Sequence, residues 1–432
     1  MQTQFSPAQL ADPEIADANA IFRACVHCGF CNATCPTYML TGDELDGPRG
    51  RIYLIKNMLE ADRPPVPSDV THIDRCLSCL SCMSTCPSGV NYMHLVDHAR
   101  AHIERHWVRK MRERLLRSLL GKVLPRPGLA GPAMALARSV APIAGLLPKT
   151  IQRMVGLATS EQNNSKVLTP TIYPAEGEAR YRVALLAGCV QQVLDGDINA
   201  ATIRLLTRHG CEIIIANGAG CCGAVNHHLG QDQAGKALAA ANVRAWTKIT
   251  GDIDAVIVNA SGCGTMVKDY GHLFRNDPKL AETAKVISDK TRDICEFMDE
   301  IGLMAPVIET GRRVAYQSPC SMQHGQGVQT QPVSLLRTAG FTVAEPRDAH
   351  LCCGSAGTYN ILQGEMADAL RESKVTALDA QAPDIVASGN IGCMTQLQAA
   401  LGAPILHTVQ LLDWATGGPE PRALAGIRPE ER

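Results

Sequence analysis

The chain has 432 residues, 46% of them hydrophobic, enough for two or three domains with separate cores. Its 41 Lys and Arg against 42 Asp and Glu leave a formal net charge of −1, so there is no whole-protein case for nucleic acid binding. With aromatics at 4%, base-stacking surfaces are not expected either.

Eighteen cysteines stand out. The first twenty residues are polar and acidic, with no basic stretch leading into an apolar one, so they do not read as a secretory signal. Cysteines at this density are then expected to bind metal in a reducing compartment, and the expected location is cytoplasmic. No stretch reaches the roughly 18 consecutive apolar residues of a spanning helix. Residues 128–147 come nearest and are interrupted by Pro132, Arg138 and Pro142, so no transmembrane segment is predicted.

Residues 1–105 carry two cysteine runs. Cys25, Cys28, Cys31 and Cys35 followed by Pro36 form C-x2-C-x2-C-x3-C-P, and Cys76, Cys79, Cys82 and Cys86 followed by Pro87 repeat it. A spacing of three lets successive thiolates converge from one tight loop on three corners of a [4Fe–4S] cubane. The fourth cysteine of each run serves the other cluster in two-cluster ferredoxins. The expected ligand sets are therefore Cys25, Cys28, Cys31 and Cys86 for the first cluster, and Cys76, Cys79, Cys82 and Cys35 for the second. Structural zinc is the competing reading, but it normally uses two C-x2-C pairs. The 41-residue interval from Cys35 to Cys76 includes an amphipathic stretch, 49–60, with Ile52, Ile55 and Leu59 on one face. That predicts a helical ferredoxin-type domain. Arg49 and Arg51 are expected at a solvated helix end, the alternative being that they face a cluster or a partner. His94 and His98 share a helix face but lack the glutamate of a hydrolytic zinc motif, and are expected to be structural.

Residues 106–178 read as a basic helical connector. Arg109, Lys110, Arg112, Arg114, Arg117, Lys122 and Arg126 are interspersed with Leu115, Leu116, Leu119 and Leu120. Two readings stand side by side: an amphipathic helix resting on an anionic membrane or a partner, and a helix packed on its own protein with a basic solvated face.

Residues 179–415 contain a duplication, divided as 179–305 and 306–415, with a polar tail at 416–432. Cys189, Cys221, Cys222 and Cys263 recur as Cys320, Cys352, Cys353 and Cys393, offset by 131 residues at the first three positions and 130 at the last. Short β-branched runs at 183–186, 212–215, 254–258, 314–316 and 384–387 alternate with Ala-rich amphipathic stretches at 233–249 and 365–378. The predicted fold is therefore α+β and multidomain: a helical domain with two clusters, then two α/β units with mostly parallel sheets. Cys189, Cys263, Cys320 and Cys393 fall just past strand ends, where open α/β sheets place their sites.

Each unit carries Cys-Cys-Gly. Adjacent thiols diverge and do not suit two corners of one cubane, but they can bind different irons of an open cluster or act as redox thiols. Cys211 and Cys295 have no counterpart in the other half and read as ordinary buried thiols. His227 and His228 are expected to cover or tune the neighbouring Cys-Cys-Gly turn. Gly218, Gly220 and Gly223 match G-x-G-x-x-G, but the other repeat lacks the first two glycines and no acidic residue follows at the ribose distance, so the match is read as coincidence. No flavin or nucleotide fingerprint appears elsewhere.

The paired units resemble the cysteine-rich domain found twice in heterodisulfide reductase subunits, which can bind a non-cubane iron–sulfur cluster. The closing C-x2-C of that domain is reduced here to one cysteine per half. Ala260 and Met266 flank Cys263 at three residues, and Asn390 and Gln396 flank Cys393. A further cluster, a redox dithiol and a quinone-facing pocket all remain open. The run from Arg23 to Tyr38, followed by 42–53, resembles the iron–sulfur subunit of bacterial glycolate oxidase, and the likeness extends over nearly the whole chain. That resemblance implies flavin-containing partner subunits, with FAD on the partners, that oxidise glycolate to glyoxylate. It also implies a quinone-type acceptor and a peripheral place on the cytoplasmic face of the inner membrane, with no catalytic residue in this chain. The cluster subunits of anaerobic glycerol-3-phosphate or lactate dehydrogenases are the alternative, as is a catalytic reductase acting at the Cys-Cys-Gly sites.

Overall fold

The computed structural model describes residues 1–158 and 167–425. Up to Ala158 every regular element is helical. Pro13–Ala24, Pro36–Thr41, Pro48–Glu60 and Pro67–Asp74 each open on proline, whose missing N–H would have no partner at that position anyway. Pro48–Glu60 buries Ile52, Ile55, Met58 and Leu59 against Tyr92–His106, which contributes Leu95, Val96, Ala99 and Ile103. Phe22 and Ile73 complete this core, and the first-run and second-run cysteines Cys25, Cys76 and Cys82 lie within it. The expected helical ferredoxin-type domain is what the chain forms.

Two sheets follow. The first comprises β1 (Thr171–Tyr173), β2 (Tyr181–Leu185), β3 (Cys211–Ile215), β4 (Ala255–Val258) and β5 (Thr291–Asp293), in the order β1-β3-β2-β4-β5. The second has β6 (Arg313–Gln317), β7 (Thr342–Ala344), β8 (Ile385–Ser388) and β9 (Ile405–His407), in the order β7-β6-β8-β9. All neighbours are parallel except β1, which runs antiparallel to β3. With β1 set aside, the two orders are identical, so the duplication seen in the cysteine spacing is also one of topology. β1 lies within the stretch expected to be a helical connector. It is an edge strand of three residues, too short to show alternation.

The five anticipated strands are present, and the predicted helices at 233–249 and 365–378 appear as Asp232–Thr247 and Gly364–Asp379. Both sheets contribute to one continuous apolar core, in which Val183, Ile213 and Ile257 join Val314, Ile385 and Leu411. Asp413, 1% exposed, takes Arg204 at 2.6 Å and Arg208 at 2.5 Å across the two halves. Among the described residues no helix is long and apolar enough to cross a membrane.

Candidate metal centres

The two ferredoxin runs are wound in the same way. His27 and Gly29 have φ of 60° and 88°, and Ser78 and Leu80, at the matching places, have 49° and 63°. Left-handed residues two apart keep reversing the chain, so that three thiols gather on one side of the loop. Cys25, Cys28, Cys31 and Cys86 line one small pocket, and Cys82 lines it with them. Burial pushes the Cys31 thiol up to about 11, and Cys25, Cys86 and Cys28 beside it add to the effect. Burial likewise raises Cys79 and Cys82 well above the ordinary thiol value, and each has Cys76 and Cys35 among its charged neighbours. The fourth cysteine of each run thus sits with the first three of the other.

Arg51 departs from expectation. It is 1% exposed, not a solvated helix end. Its Nε donates to the carbonyl of His72 at 2.7 Å, Nη2 to Thr37 Oγ1 at 3.0 Å, and Nη1 faces Cys35 Sγ at 3.9 Å. Asp46, fully buried, balances it at 3.7 Å while also holding His72 at 2.8 Å and Arg75 at 2.9 Å. Arg49 is half-exposed and pairs with Glu44 at 2.6 Å.

In the repeats, the glycine of each Cys-Cys-Gly is required twice over. Gly223 and Gly354 have φ of 91° and 85°, and a Cβ on either would stand 2.5 Å from a helix carbonyl, that of Gly235 or Ala367. The turn can therefore press against its helix only without a side chain, and that contact sets where the paired cysteines point. In the second unit Cys320 and Cys352 Sγ are 3.8 Å apart, and Cys353 and Cys393 Sγ 3.2 Å. In the first, hydrogen bonds from Cys189 and Cys222 hold the Cys221 thiol below its ordinary value, while Cys189 and Cys222 are raised. All eight of these cysteines border one cavity of about 370 Å³ between the units, roofed by Met111–Val123, Pro127–Ser139 and Lys149–Ala158. The second ferredoxin run abuts it: Leu77 and Cys79 pack in one cluster with Cys352 and Tyr359, and Cys320 lies against them.

A cysteine-rich domain family matches residues 183–268 and 314–398, and a 4Fe-4S dicluster domain family matches 21–90. The chain is 39% identical over 416 residues to the glycolate oxidase iron–sulfur subunit of Escherichia coli (strain K12), covering 96% of this chain and 99% of that protein. The chain belongs to the glycolate oxidase iron–sulfur subunit family. It is 32% identical to the probable glycolate oxidase iron–sulfur subunit of Bacillus subtilis (strain 168), over 87% of this chain and 88% of that one. Lactate utilization protein A of the same organism is 25% identical over 54% of this chain and 99% of its own length. A crystal structure of a hypothetical protein from Helicobacter pylori shares the fold, with a TM-score of 0.52, 10% identity, and coverage of 96% of this chain and 74% of that one.

As a glycolate oxidase iron–sulfur subunit the chain is an electron-transfer component of an oxidoreductase, and its donors suit iron–sulfur clusters. All eighteen cysteines are free thiols. Burial keeps Cys31, Cys79 and Cys82 protonated in the bare protein, whereas iron would replace those protons with a charge the thiolates can share. At one of the two places where a fifth thiol could stand in each repeat, three residues past Cys263 and Cys393, the structure has other uses for the side chain. Met266 is buried in the first unit's core, and Gln396 accepts from Asn360 at 3.0 Å and donates to Ala367 O at 3.3 Å.

The remaining candidates are structural. Cys211 and Cys295 are fully buried in the shared core. His94 bonds Asp269 at 2.9 Å and stacks on His272, His98 faces Glu14 at 3.5 Å, and His227 is held between Asp97 and Asp232. One residue was missed. Lys374, 3% exposed, donates to the carbonyls of Asp348 and Ala349 at 3.0 and 3.3 Å, just ahead of Cys352. Burial lowers its pKa, and the nearby cysteines, Cys353 and Cys352 first, oppose that. Its signal was available: Lys374 falls on the same helix stripe as Ala367, Leu370 and Leu378. Its counterpart, equally placed after the helix residue that meets the glycine, is neutral Asn242, which bonds Gly220 N and Cys221 O.

Proposed function

We propose that this chain carries electrons from flavin-containing partner subunits, which oxidise glycolate to glyoxylate, to a membrane quinone. Cys25, Cys28, Cys31 and Cys86 would hold one [4Fe–4S] cluster, and Cys76, Cys79, Cys82 and Cys35 the other. Bound clusters supply one-electron transfer, which a two-electron flavin needs to reach a distant acceptor.

The observation that carries this reading is the continuity of thiols through the molecule. Cys28 is exposed, with Val26 at 68%, Phe30 at 63% and Tyr53 at 50% around it, a face suited to a partner. Cys82 borders the first thiol group and belongs to the second. Cys79 in turn packs into the cluster that contains Cys352. The path therefore runs from an exposed face to the cavity between the repeats. Arg51 holds the backbone under it, and no side chain along it is needed for chemistry on glycolate.

The connector supports a peripheral place on a membrane. Leu115, Leu129, Leu136 and Leu146 are 62%, 50%, 69% and 88% exposed, with exposed Arg112, Lys122 and Arg126 among them. Arg109 and Arg117, by contrast, are buried, the first with Asp74 at 2.6 Å and the second donating to Leu229 O at 2.9 Å. The connector thus packs one side on the protein and leaves a leucine-rich side exposed.

The test is to isolate the chain anaerobically with whatever subunits accompany it and add glycolate. Bleaching of the visible iron–sulfur absorption by glycolate, and only in the presence of a flavin-bearing subunit, is expected. Bleaching by lactate or glycerol-3-phosphate instead would replace glycolate in the account, and no bleaching by any of them would contradict it.

A further inference from the structure

The cavity between the repeats is apolar on most of its walls, yet both Cys-Cys-Gly sites open into it. Its roof is the connector, whose inner side supplies Leu120, Val123, Ala130 and Ala137. Leu119, 51% exposed, and exposed Ala133 border the cavity while standing on the outer, leucine-rich face, so the cavity opens there. Two polar residues in its wall carry buried carbonyl oxygens without a partner, Oε1 of Gln191 in the first repeat and Oδ1 of Asn360 in the second.

We propose that this cavity is the binding site of a lipophilic quinone, entered through the connector roof from a membrane surface. The proposal rests on the quinone reading given above and assigns that acceptor its place. An apolar ring and tail match the walls, and the cost of two orphaned acceptors is relieved by a ligand that gains two hydroxyl donors at opposite ends when reduced. The reaction is quinone plus two electrons plus two protons giving hydroquinone. The electrons are those released as a 2-hydroxy acid becomes a 2-oxo acid, arriving one at a time past Cys79 and Cys352. The protons come from water by way of His228, which lines the cavity and has 36% of its side chain exposed. Reduction turns each quinone oxygen from acceptor to donor, and the hydroxyls then face Gln191 Oε1 and Asn360 Oδ1.

The probe is a short-tailed quinone bearing a photoreactive azide, illuminated with the anaerobically purified complex and mapped by peptide mass spectrometry. Label is expected on peptides holding Leu119, Ala133 or Ala137, and Ala137→Trp, which fills the cavity from its roof, should cut it at least tenfold. Iron content and melting temperature report whether that variant is folded; if it is not, the wild-type map decides alone. Label confined to the ferredoxin runs or to another subunit, in a complex that reduces quinone with glycolate, overturns the cavity assignment but leaves quinone as acceptor. The same holds if folded Ala137→Trp labels like the wild type. A complex that reduces dyes with glycolate but neither reduces nor takes up any quinone overturns the acceptor reading, and the site with it.

Discussion

The hydroxyl of Tyr359 donates to the carbonyl oxygen of Arg75 at 3.1 Å, joining the second Cys-Cys-Gly unit to the residue just before Cys76. The two are 284 residues apart in sequence. Tyr359 is 5% exposed and packs with Leu77, Cys79 and Cys352, so the bond lies beside a contact of ferredoxin run and repeat. Tyr359→Phe keeps the packing and removes one hydrogen bond, worth about 1 kcal/mol. A small fall in melting temperature is expected, with unchanged iron content. Electron delivery past this contact should slow measurably in stopped-flow reduction; an unchanged rate would mean that electrons leave the dicluster domain elsewhere.

Arg51 is a buried cation beside the second ligand set, its Nη1 3.9 Å from Cys35 Sγ. Its charge favours the more reduced, more negative state of whatever Cys35 and Cys76 bind. Arg51→Met should therefore lower the midpoint potential of one centre by tens of millivolts and leave the other nearly unmoved. It should also destabilise the fold, by about 3 kcal/mol or more, because it strips a buried partner from Asp46. Redox titration followed by EPR separates the two effects.

Lys374 and Asn242 make the repeats unequal. Lys374→Asn gives the second repeat the side chain that the first uses, and the helix should tolerate it. The expected outcome is a lower reduction potential for any centre on Cys320, Cys352, Cys353 and Cys393, and slower transfer from the second ferredoxin run. Asn242→Ala, as a control, should alter stability without that shift.

Gly354→Ala meets both a left-handed backbone and the Ala367 carbonyl. A cost of roughly 2 kcal/mol or more is expected. Because Cys353 precedes this glycine, the variant should change thiol reactivity in the second repeat while leaving the ferredoxin-run iron in place. Thiol labelling together with an iron assay checks both.

Two histidines pull stability in opposite directions with pH. Burial opposes charge on His227, but Asp97 and Asp232 overcome it and raise its pKa to about 10. A base raised on folding stabilises fully below its unfolded value of about 6.5, and that stability is lost as pH rises through 10. His407, fully buried, is lowered to about 4 by burial. Its unfolded form takes a proton first, so stability is lost as pH falls from about 6.5 to 4, by up to about 3 kcal/mol. Melting temperature against pH should show both contributions, beside the fall with rising pH between about 4 and 7 that buried Asp293, raised to about 7, adds. His227→Gln should flatten the alkaline limb, and His407→Asn, which keeps an acceptor for Val409 N, the acid limb.

Much of this architecture was legible in the residues. Cysteine spacing announced the two ferredoxin runs and the duplication, and alternation located the five central strands. β1, β5, β7 and β9 were not anticipated, because three residues at a sheet edge carry too little pattern. Arg51 was misplaced for another reason: a charge on an amphipathic helix reads as solvated unless its partner is known, and Asp46, His72 and Cys35 are distant or unremarkable in sequence. The approach of Cys79 to Cys352 and the connector's closing over both repeats are tertiary facts with no local signal. The connector's mix of basic residues and leucines left packing and exposure both open, and both occur.

The central claim, that eight cysteines hold two neighbouring clusters in crossed sets, is tested most directly by iron and sulfide analysis with EPR of the anaerobically reduced chain. In the wild type the ferredoxin runs should account for roughly eight irons and give two magnetically interacting [4Fe–4S] signals. Cys86→Ala should remove the signal that Cys25, Cys28 and Cys31 support and spare the other. Zinc in place of iron, or loss from Cys86→Ala of the centre held by Cys76, Cys79 and Cys82 alone, would contradict it.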